Sequence, residues 1–175
     1  MHNRTIRIIG LDPGLRRTGW GVIDTDGVRL VYVASGAINV PANDELAYRL
    51  RTLFEGVSAI LASFKPSEAA VEETFVNENP RSTLKLGQAR GTVLLAPAMA
   101  GMRVAEYTPN LIKKSVTGTG HAEKQQVMTM VRFLLPKSAC DSADEADALA
   151  IAICHANHRN SPQAAALRQL KAAQA

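Results

Sequence analysis

Four carboxylates are the residues of this sequence whose types and spacing are best suited to chemistry. Asp12 and Glu72 each end a short apolar run, and Asp144 and Asp147 lie three residues apart in a stretch of helical periodicity, so these two share a helix face. No cluster of His and Cys accompanies the acids, and an all-oxygen ligand set favours Mg²⁺ or Mn²⁺ over zinc. Two such ions about 4 Å apart could activate water and stabilise the leaving oxygen of a phosphodiester. The acids therefore predict a phosphodiesterase with two Mg²⁺ ions per active site, for which Mn²⁺ substitutes.

Each acid also has a simpler interpretation. The run Asp12-Pro-Gly is a common turn, and Asp144 could merely favour the positive end of its helix. Glu72 is followed by Glu73, and because neighbouring side chains on a strand point to opposite faces, one of the two can turn toward Asp12; we favour Glu72. Asp147 lies beside an apolar stripe, where its charge needs a partner or a metal. Asp12, on the central strand, is the natural ligand to bridge two ions.

The elements that must position these acids follow from the apolar pattern. Three β-rich runs open the chain, and Asp26-Gly27 predicts a tight hairpin between the second and the third. Helical periodicity then alternates with two short strands, which implies a mixed five-stranded sheet with helices on its faces, an α/β fold. The predicted strands are 5–11, 19–24, 28–37, 68–73 and 103–107, and the predicted helices are 44–64, 81–102, 109–116, 123–135 and 143–158. One domain over 1–158 and a flexible tail over 159–175 are expected.

The distribution of charge predicts a polyanion as the partner. Between Arg81 and Lys137 there are nine Lys and Arg residues against two Glu residues, and the carboxylates are concentrated elsewhere. Two cysteines without zinc-ligand spacing favour a reduced, cytoplasmic setting. We expect no export signal and no membrane span, since no apolar run approaches about 18 residues.

Several motifs together resemble those of the bacterial RuvC-type Holliday-junction resolvases, which have an RNase H-like fold. They occur in the family's order and extend over nearly the whole chain to about residue 158, with Trp20 where Tyr is usual. The matching segments are GLDPG (10–14), TGWGV (18–22), AVEETF (70–75), LKLGQARG (84–91), GTGHAEK (118–124) and ADEADALAIA (143–152).

This resemblance implies specific roles for residues of the chain. Asp12, Glu72, Asp144 and Asp147 match the metal-binding positions, of which the one at Asp144 also admits His. Lys113 and Lys124 match basic residues that approach the cleaved strand, and Phe75 matches an aromatic residue that contacts bases near the crossover. The family acts as a homodimer that cuts two strands of a four-way junction symmetrically, leaves 5′-phosphate and 3′-hydroxyl ends, and works with the RuvA–RuvB branch-migration machinery.

Other residues could contribute to DNA binding or to dimerisation. Arg81, Lys85, Arg90 and Lys114 are expected to add sequence-independent phosphate contacts, and Lys124 is also expected to act in catalysis by stabilising charge in the transition state. Gly87 and Gly91 lie one turn apart on a predicted helix, where they lower its stability. They predict close approach of either the sheet or a second subunit.

Three other classes of protein compete with this interpretation. A sugar kinase or actin-like ATPase uses a similar strand and turn, but it needs two copies of the domain and this chain has no internal repeat. A related RNase H-like nuclease acting on RNA or unbranched nucleic acid differs in Phe75 and the GTGHAEK run. A junction-binding module without activity would have no use for four carboxylates near DNA.

Overall fold

The computed structural model describes residues 5–73, 79–138, 140 and 142–161. Its centre is one sheet of five strands in the order β3-β2-β1-β4-β5. β1 is antiparallel to β2, and β2 to β3, whereas β1, β4 and β5 run parallel. The mixed five-stranded α/β sheet predicted from the sequence is thereby confirmed. The strands are β1 (Ile6–Asp12), β2 (Arg17–Thr25), β3 (Leu30–Asn39), β4 (Glu68–Glu72) and β5 (Arg103–Tyr107).

The described residues form five helices around the sheet, and each begins and ends close to its predicted bounds. Asn79, Thr108 and Ser142 cap helix starts with side-chain oxygens that accept backbone N–H groups. The helix ending at Thr117 is closed by Gly118 in the left-handed conformation. Among the described residues, no helix is long and apolar enough to cross a membrane. The helices are α1 (Leu46–Phe64), α2 (Pro80–Met99), α3 (Pro109–Thr117), α4 (Lys124–Leu134) and α5 (Ala143–His158).

The two faces of the sheet carry separate apolar cores. On one face α5 lies across β1 and β2, and α3 and α4 pack against α5. On the other face α1 and α2 cover the sheet, with Leu53, Val57 and Val93 fully buried. Because α5 is buried along most of its length, its first turn is held rigidly at the end of the sheet where β1 and β4 finish.

The buried face of α1 differs in part from the apolar stripe that helical spacing indicates. The apolar residues spaced three or four apart are Leu46, Leu50, Leu53, Val57, Ile60 and Phe64, whereas the buried residues are Arg49, Leu53, Val57 and Leu61. The difference arises because Arg49 turns inward and donates from an Nη atom to the carbonyl of Leu15, 3.0 Å away. The hydrogen bond to Leu15 thus explains why the charged Arg49 is buried, and hydrophobic periodicity alone does not predict such a contact.

Candidate active site

Asp12 and Glu72 are brought together by the pairing of their strands. β1 lies between β2 and β4, and Leu11 is the register partner of Val71, so Asp12 and Glu72 are the next residues along two neighbouring parallel strands. Each ends its strand and each is half-buried. The choice of Glu72 over Glu73 is supported by electrostatics, because Glu72 contributes directly to the raised pKa of Asp12.

The first turn of α5 reaches this edge because glycines remove side chains from the strands beneath it. A Cβ atom on Gly19, the register partner of Asp12, would lie 2.2 Å from the carbonyl oxygen of Asp144. A Cβ atom on Gly10 would lie 2.1 Å from the carbonyl oxygen of Ala148. Real Cβ atoms do not approach so closely, so α5 can lie at this depth only over glycine. Both glycines lie in the motifs quoted above, but their spacing did not predict that a helix must pack against them.

The start of α5 is also fixed from the side by polar contacts. Ser142 accepts from the backbone N–H of Glu145, as expected for a helix cap, and its hydroxyl donates to Glu145 Oε1 at 2.9 Å. The other carboxylate oxygen of Glu145 accepts from Ser35 of β3 at 2.7 Å. The helix start is therefore tied to the sheet, which orients the turn that carries Asp144 and Asp147.

The electrostatics show that the four acids occupy one crowded cleft. Burial raises the pKa of Asp12 to about 8, and the negative charges of Glu72, Asp147 and Asp144 add to the increase. A hydrogen bond between the carboxyls of Asp12 and Glu72 contributes too, and it requires that one of them keep its proton. Burial likewise raises the pKa of Glu72 and of Asp147. The metal-free cleft therefore holds at least one proton near neutral pH, a state that a bound cation would reverse.

Lys113 and Lys124 are the cations of this cleft. Both lower the pKa of Glu72 and of Asp147, so both lie within electrostatic reach of the acids. Lys124 is the first residue of α4 and is exposed, whereas Lys113 on α3 is half-buried. The structure thus brings together four acids and two lysines that are separated by up to 135 positions in the sequence.

The turn that follows Asp12 is held by residues that the sequence analysis missed. The hydroxyl of Thr18 donates to the carbonyl of Gly14 at 2.7 Å and accepts from the N–H of Gly14 at 3.1 Å. Arg49 binds the carbonyl of Leu15, and Val40 donates to the carbonyl of Arg16. A Thr four residues after a Pro-Gly turn is a readable signal for the first contact, whereas the Arg49 contact depends on tertiary packing.

Asp144 has an ion-pair partner. The Nε atom of Arg17, at the start of β2, lies 2.5 Å from Asp144 Oδ2, and both side chains are about two-fifths exposed. No such pair involves Asp12, Glu72 or Asp147 within the described ranges. The four predicted ligands are therefore not equivalent.

The donor set fits hard divalent cations. Four carboxylates supply oxygen ligands, and the pKa values of three of them, Asp12, Glu72 and Asp147, are raised, so a cation would relieve their mutual repulsion. As it stands, no group of three or more His, Cys, Asp or Glu side chains in the described part of the chain is drawn together tightly enough to hold an ion. Ion binding therefore requires the side chains of these acids to converge further.

The remaining residues predicted to contact DNA lie in different settings. Arg81, Lys85 and Lys114 are exposed. Arg90 is half-buried and pairs with Glu106 of β5, so its charge is already compensated. Phe75 lies outside the described residues, and its predicted stacking role is not tested.

A second polar cluster lies at the far end of α5. His155 is fully buried, with Nε2 2.7 Å from Glu68 Oε2 and Nδ1 2.8 Å from the hydroxyl of Tyr107. Arg159 binds both oxygens of Glu68, at 3.0 and 2.5 Å. Glu68 begins β4, the strand that Glu72 ends, so the cluster joins the same two elements as the active site does. It was not expected from the sequence, because its four members come from three separate segments.

Comparison with known proteins places this site in a family. Residues 8–155 match the family model for the crossover junction endodeoxyribonuclease RuvC. The chain is 62% identical over 159 residues to the protein of that name from Azorhizobium caulinodans, spanning 91% of this chain and 94% of the relative. The protein of that name from Bradyrhizobium diazoefficiens is 60% identical over 156 residues, 89% of either chain.

A solved structure has the same fold. Thermus thermophilus RuvC, in complex with a Holliday junction substrate, superposes with a TM-score of 0.81 at 34% identity, covering 87% of this chain and 94% of that one. Fold, motif order and sequence identity agree over the whole segment that contains the four acids. The chain belongs to the RuvC family of crossover junction endodeoxyribonucleases.

Proposed function

We propose that this chain is a structure-selective endonuclease that resolves four-way Holliday junctions in recombination and repair. The observation that carries the proposal is the meeting of Asp12, Glu72, Asp144 and Asp147 at one sheet edge, within a segment that matches crossover junction endodeoxyribonucleases from end to end. The alternative, a nuclease for RNA or unbranched nucleic acid, shares the sheet and the acids but not this family identity, and we do not favour it.

The four acids would hold two Mg²⁺ ions, with Asp12 as the bridging ligand and Mn²⁺ as a substitute. When bound, such ions activate a water molecule and stabilise the leaving oxygen, which yields 5′-phosphate and 3′-hydroxyl ends. Asp12 must lose its proton before it can bind a cation. Lys113 and Lys124 favour the ionised form of Glu72 and of Asp147, because both lysines lower the pKa values of these two acids. Lys124, exposed at the first position of α4, would also neutralise charge on the cleaved phosphate.

DNA binding is proposed for the exposed cations around the cleft. Arg81 and Lys85 lie on the first turns of α2, and Lys114 lies next to Lys113 on α3. Contacts of this kind are made with phosphates, so they would position the junction without reading its sequence. Arg90 is the weakest member of the predicted set because Glu106 already binds it. Stacking by Phe75 on junction bases stays a prediction.

A homodimer is supported by the outer face of α2. Leu84, Leu95 and Met99 are 66%, 52% and 70% exposed, and they share one face with Gly87 and Gly91. Nothing within the described chain lies within 4 Å of a Cβ atom built on either glycine, so the glycines do not make room for the sheet. The opposite face of α2 is the buried one. An apolar face that is flat at two glycines suits a second copy of the same helix.

Sedimentation velocity tests this dimer, with Leu95→Glu as the variant and Leu84→Gln as a milder one. Both positions are exposed, so the folded circular-dichroism spectrum should persist while the wild-type dimer dissociates. A wild-type monomer at micromolar concentration would contradict the dimer. Partnership with RuvA–RuvB rests on family membership alone and stays a prediction.

Cleavage of defined substrates tests the function itself. A synthetic four-way junction, a linear duplex and an RNA–DNA hybrid are incubated with the protein and Mg²⁺, and the positions of the cuts are mapped on each strand. Paired, symmetric nicks in the junction, with ligatable ends, are the expected result. Preferential cutting of the hybrid or the linear duplex would overturn the proposal.

A further inference from the structure

The position of Arg17 is dictated by the strand and not by a flexible side chain alone. Side chains at alternate positions of a strand point to the same face, so Arg17 faces the same side as Gly19. Gly19 lies directly under the backbone of Asp144. Arg17 must therefore project toward the first turn of α5 whenever β2 is formed. The turn that leads into β2 is itself fixed by Thr18 and Arg49.

The contact occupies one of the carboxylate oxygens that a cation would need. Arg17 Nε lies 2.5 Å from Asp144 Oδ2, within ion-pair distance. Asp12, Glu72 and Asp147 form no such ion pair among the described residues, although Lys113 and Lys124 lie within electrostatic reach of Glu72 and Asp147. A cation entering the cleft therefore meets three carboxylates that gain from its charge and a fourth that must first leave an existing partner.

We propose that Arg17 is a positioning residue that competes with the second metal ion for Asp144. In the metal-free protein Arg17 holds Asp144 away from the other three acids, and occupation of the second ion site breaks this pair. The inference rests on the proposed role of Asp144 as a metal ligand. It makes the second ion site intrinsically weaker than the first, so that both ions bind together only at higher metal concentration or when DNA phosphate adds a further ligand.

Mn²⁺ binding to the full-length protein without DNA tests this inference. Unbound Mn²⁺ is counted by electron paramagnetic resonance, which gives the stoichiometry and both dissociation constants independently of cleavage. Arg17→Gln should lower the weaker dissociation constant about three- to tenfold, which corresponds to about 0.7–1.4 kcal/mol, and leave the tighter one within about twofold. Arg16→Gln is the matched control, because Arg16 is an exposed neighbour with the same charge and no side-chain contact among the described residues.

A double substitution separates the contact from the general effect of charge. In an Asp144→Ala background Arg17→Gln should change Mn²⁺ affinity by less than about twofold, because the residue through which Arg17 acts is gone. An equal gain in both backgrounds, or an equal gain from Arg16→Gln, would overturn the inference. If wild-type protein neither binds Mn²⁺ nor cuts junctions, the proposed function fails. If it does both and Arg17→Gln binds Mn²⁺ as the wild type does, the inference alone fails.

Discussion

The two ends of α5 carry similar acidic and basic residues in opposite states of compensation. At the C-terminal end, Glu68 receives hydrogen bonds from His155 and Arg159, and these hold the pKa of Glu68 well below its usual range. At the N-terminal end, burial and like charges raise the pKa of Asp12 to about 8 and raise that of Asp147 as well. The same helix and adjacent strands thus hold one cluster whose carboxylate is paired with cations and one whose carboxylates repel one another.

This difference separates a structural role from a functional one. Because a carboxylate only accepts hydrogen bonds, Nε2 of His155 donates to Glu68, and Nδ1 shares a hydrogen bond with the hydroxyl of Tyr107. Every polar atom of that imidazole is used. At the other end the acids repel one another, and this costs stability that a cation can recover. The C-terminal cluster holds α5 against β4, and in the proposed function the N-terminal acids use that fixed position to bind metal.

The largest expected effect comes from removing the central acid. Asp12→Asn should lower the rate of junction cutting at least about 10³-fold, or about 4 kcal/mol in the barrier, because the substitution removes a proposed metal ligand. Junction binding in Ca²⁺ should persist, since the exposed lysines remain. Cutting is measured by single-turnover assays, and binding by fluorescence anisotropy.

The exposed Asp44 supplies the control for this substitution. Asp44→Asn removes the same charge away from the cleft and should cut at the wild-type rate. If Asp12→Asn still cuts junctions, Asp12 is not needed for cutting, and the proposed functional difference between the two ends of α5 is wrong.

The next effect concerns stability, at the opposite end of the helix. Glu68→Ala removes the carboxylate that His155 and Arg159 share and should lower the free energy of unfolding by about 3 kcal/mol, the low end for a broken buried ion pair, because Arg159 remains partly exposed. Urea denaturation measures the change. Glu55→Ala breaks the exposed pair with Arg51 and should cost less than about 1 kcal/mol. Equal costs for the two variants would mean that the C-terminal cluster is not structural.

A smaller change tests how α5 is seated over the active site. Gly19→Ala places a methyl group against the backbone of Asp144 and should cost about 1–3 kcal/mol of stability. A shift of the helix start by about 1 Å should also slow cutting by about 100-fold. Gly87→Ala is the control for stability alone, since nothing within the described chain lies within 4 Å of a Cβ atom built there, whereas its face of α2 is the proposed dimer surface. Wild-type cutting by Gly19→Ala would show that the depth of α5 does not position Asp144.

The four acids could be proposed as one site from the sequence because each is marked locally. Asp12 and Glu72 end apolar runs, and Asp144 and Asp147 follow a helix cap by a few residues. Periodicity also predicted all five strands and all five helices, with bounds within a few residues. Local spacing reports local structure, and these features are local.

The partners of those acids could not be predicted, because they meet through tertiary packing. Arg17 and Asp144 are 127 positions apart, and Glu68 and Arg159 are 91 apart. Nothing in the neighbourhood of Arg17 distinguishes it from Arg16, which has no such contact. The glycines under α5 belong to the motifs quoted above, but the need for glycine there follows from the packing of α5 against β1 and β2, which local spacing does not predict.

The smallest effect is expected in the pH dependence of stability, to which the two ends of α5 contribute with opposite signs. Folded-state pKa values at the N-terminal end are raised, so the folded protein binds more protons there than the unfolded chain, and in EDTA stability should fall as pH rises from about 4 to about 8. The lowered pKa of Glu68 acts in the other direction, and its contribution is already complete above about pH 5. Between pH 5 and 9, therefore, only the N-terminal acids contribute to the change of stability with pH.

Thermal unfolding across this range measures the effect. The melting temperature in EDTA should drop by about 3 °C, the shift that 1 kcal/mol produces in a chain of this size. Mg²⁺ should remove the drop, because cations replace the protons and neutralise the same charges. Asp12→Asn should flatten the EDTA profile, whereas Asp44→Asn should leave it unchanged. A profile that slopes equally with Mg²⁺ and with EDTA would mean that the titrating acids are not the ones that bind metal, because a ligand that holds a cation cannot also report the loss of its proton.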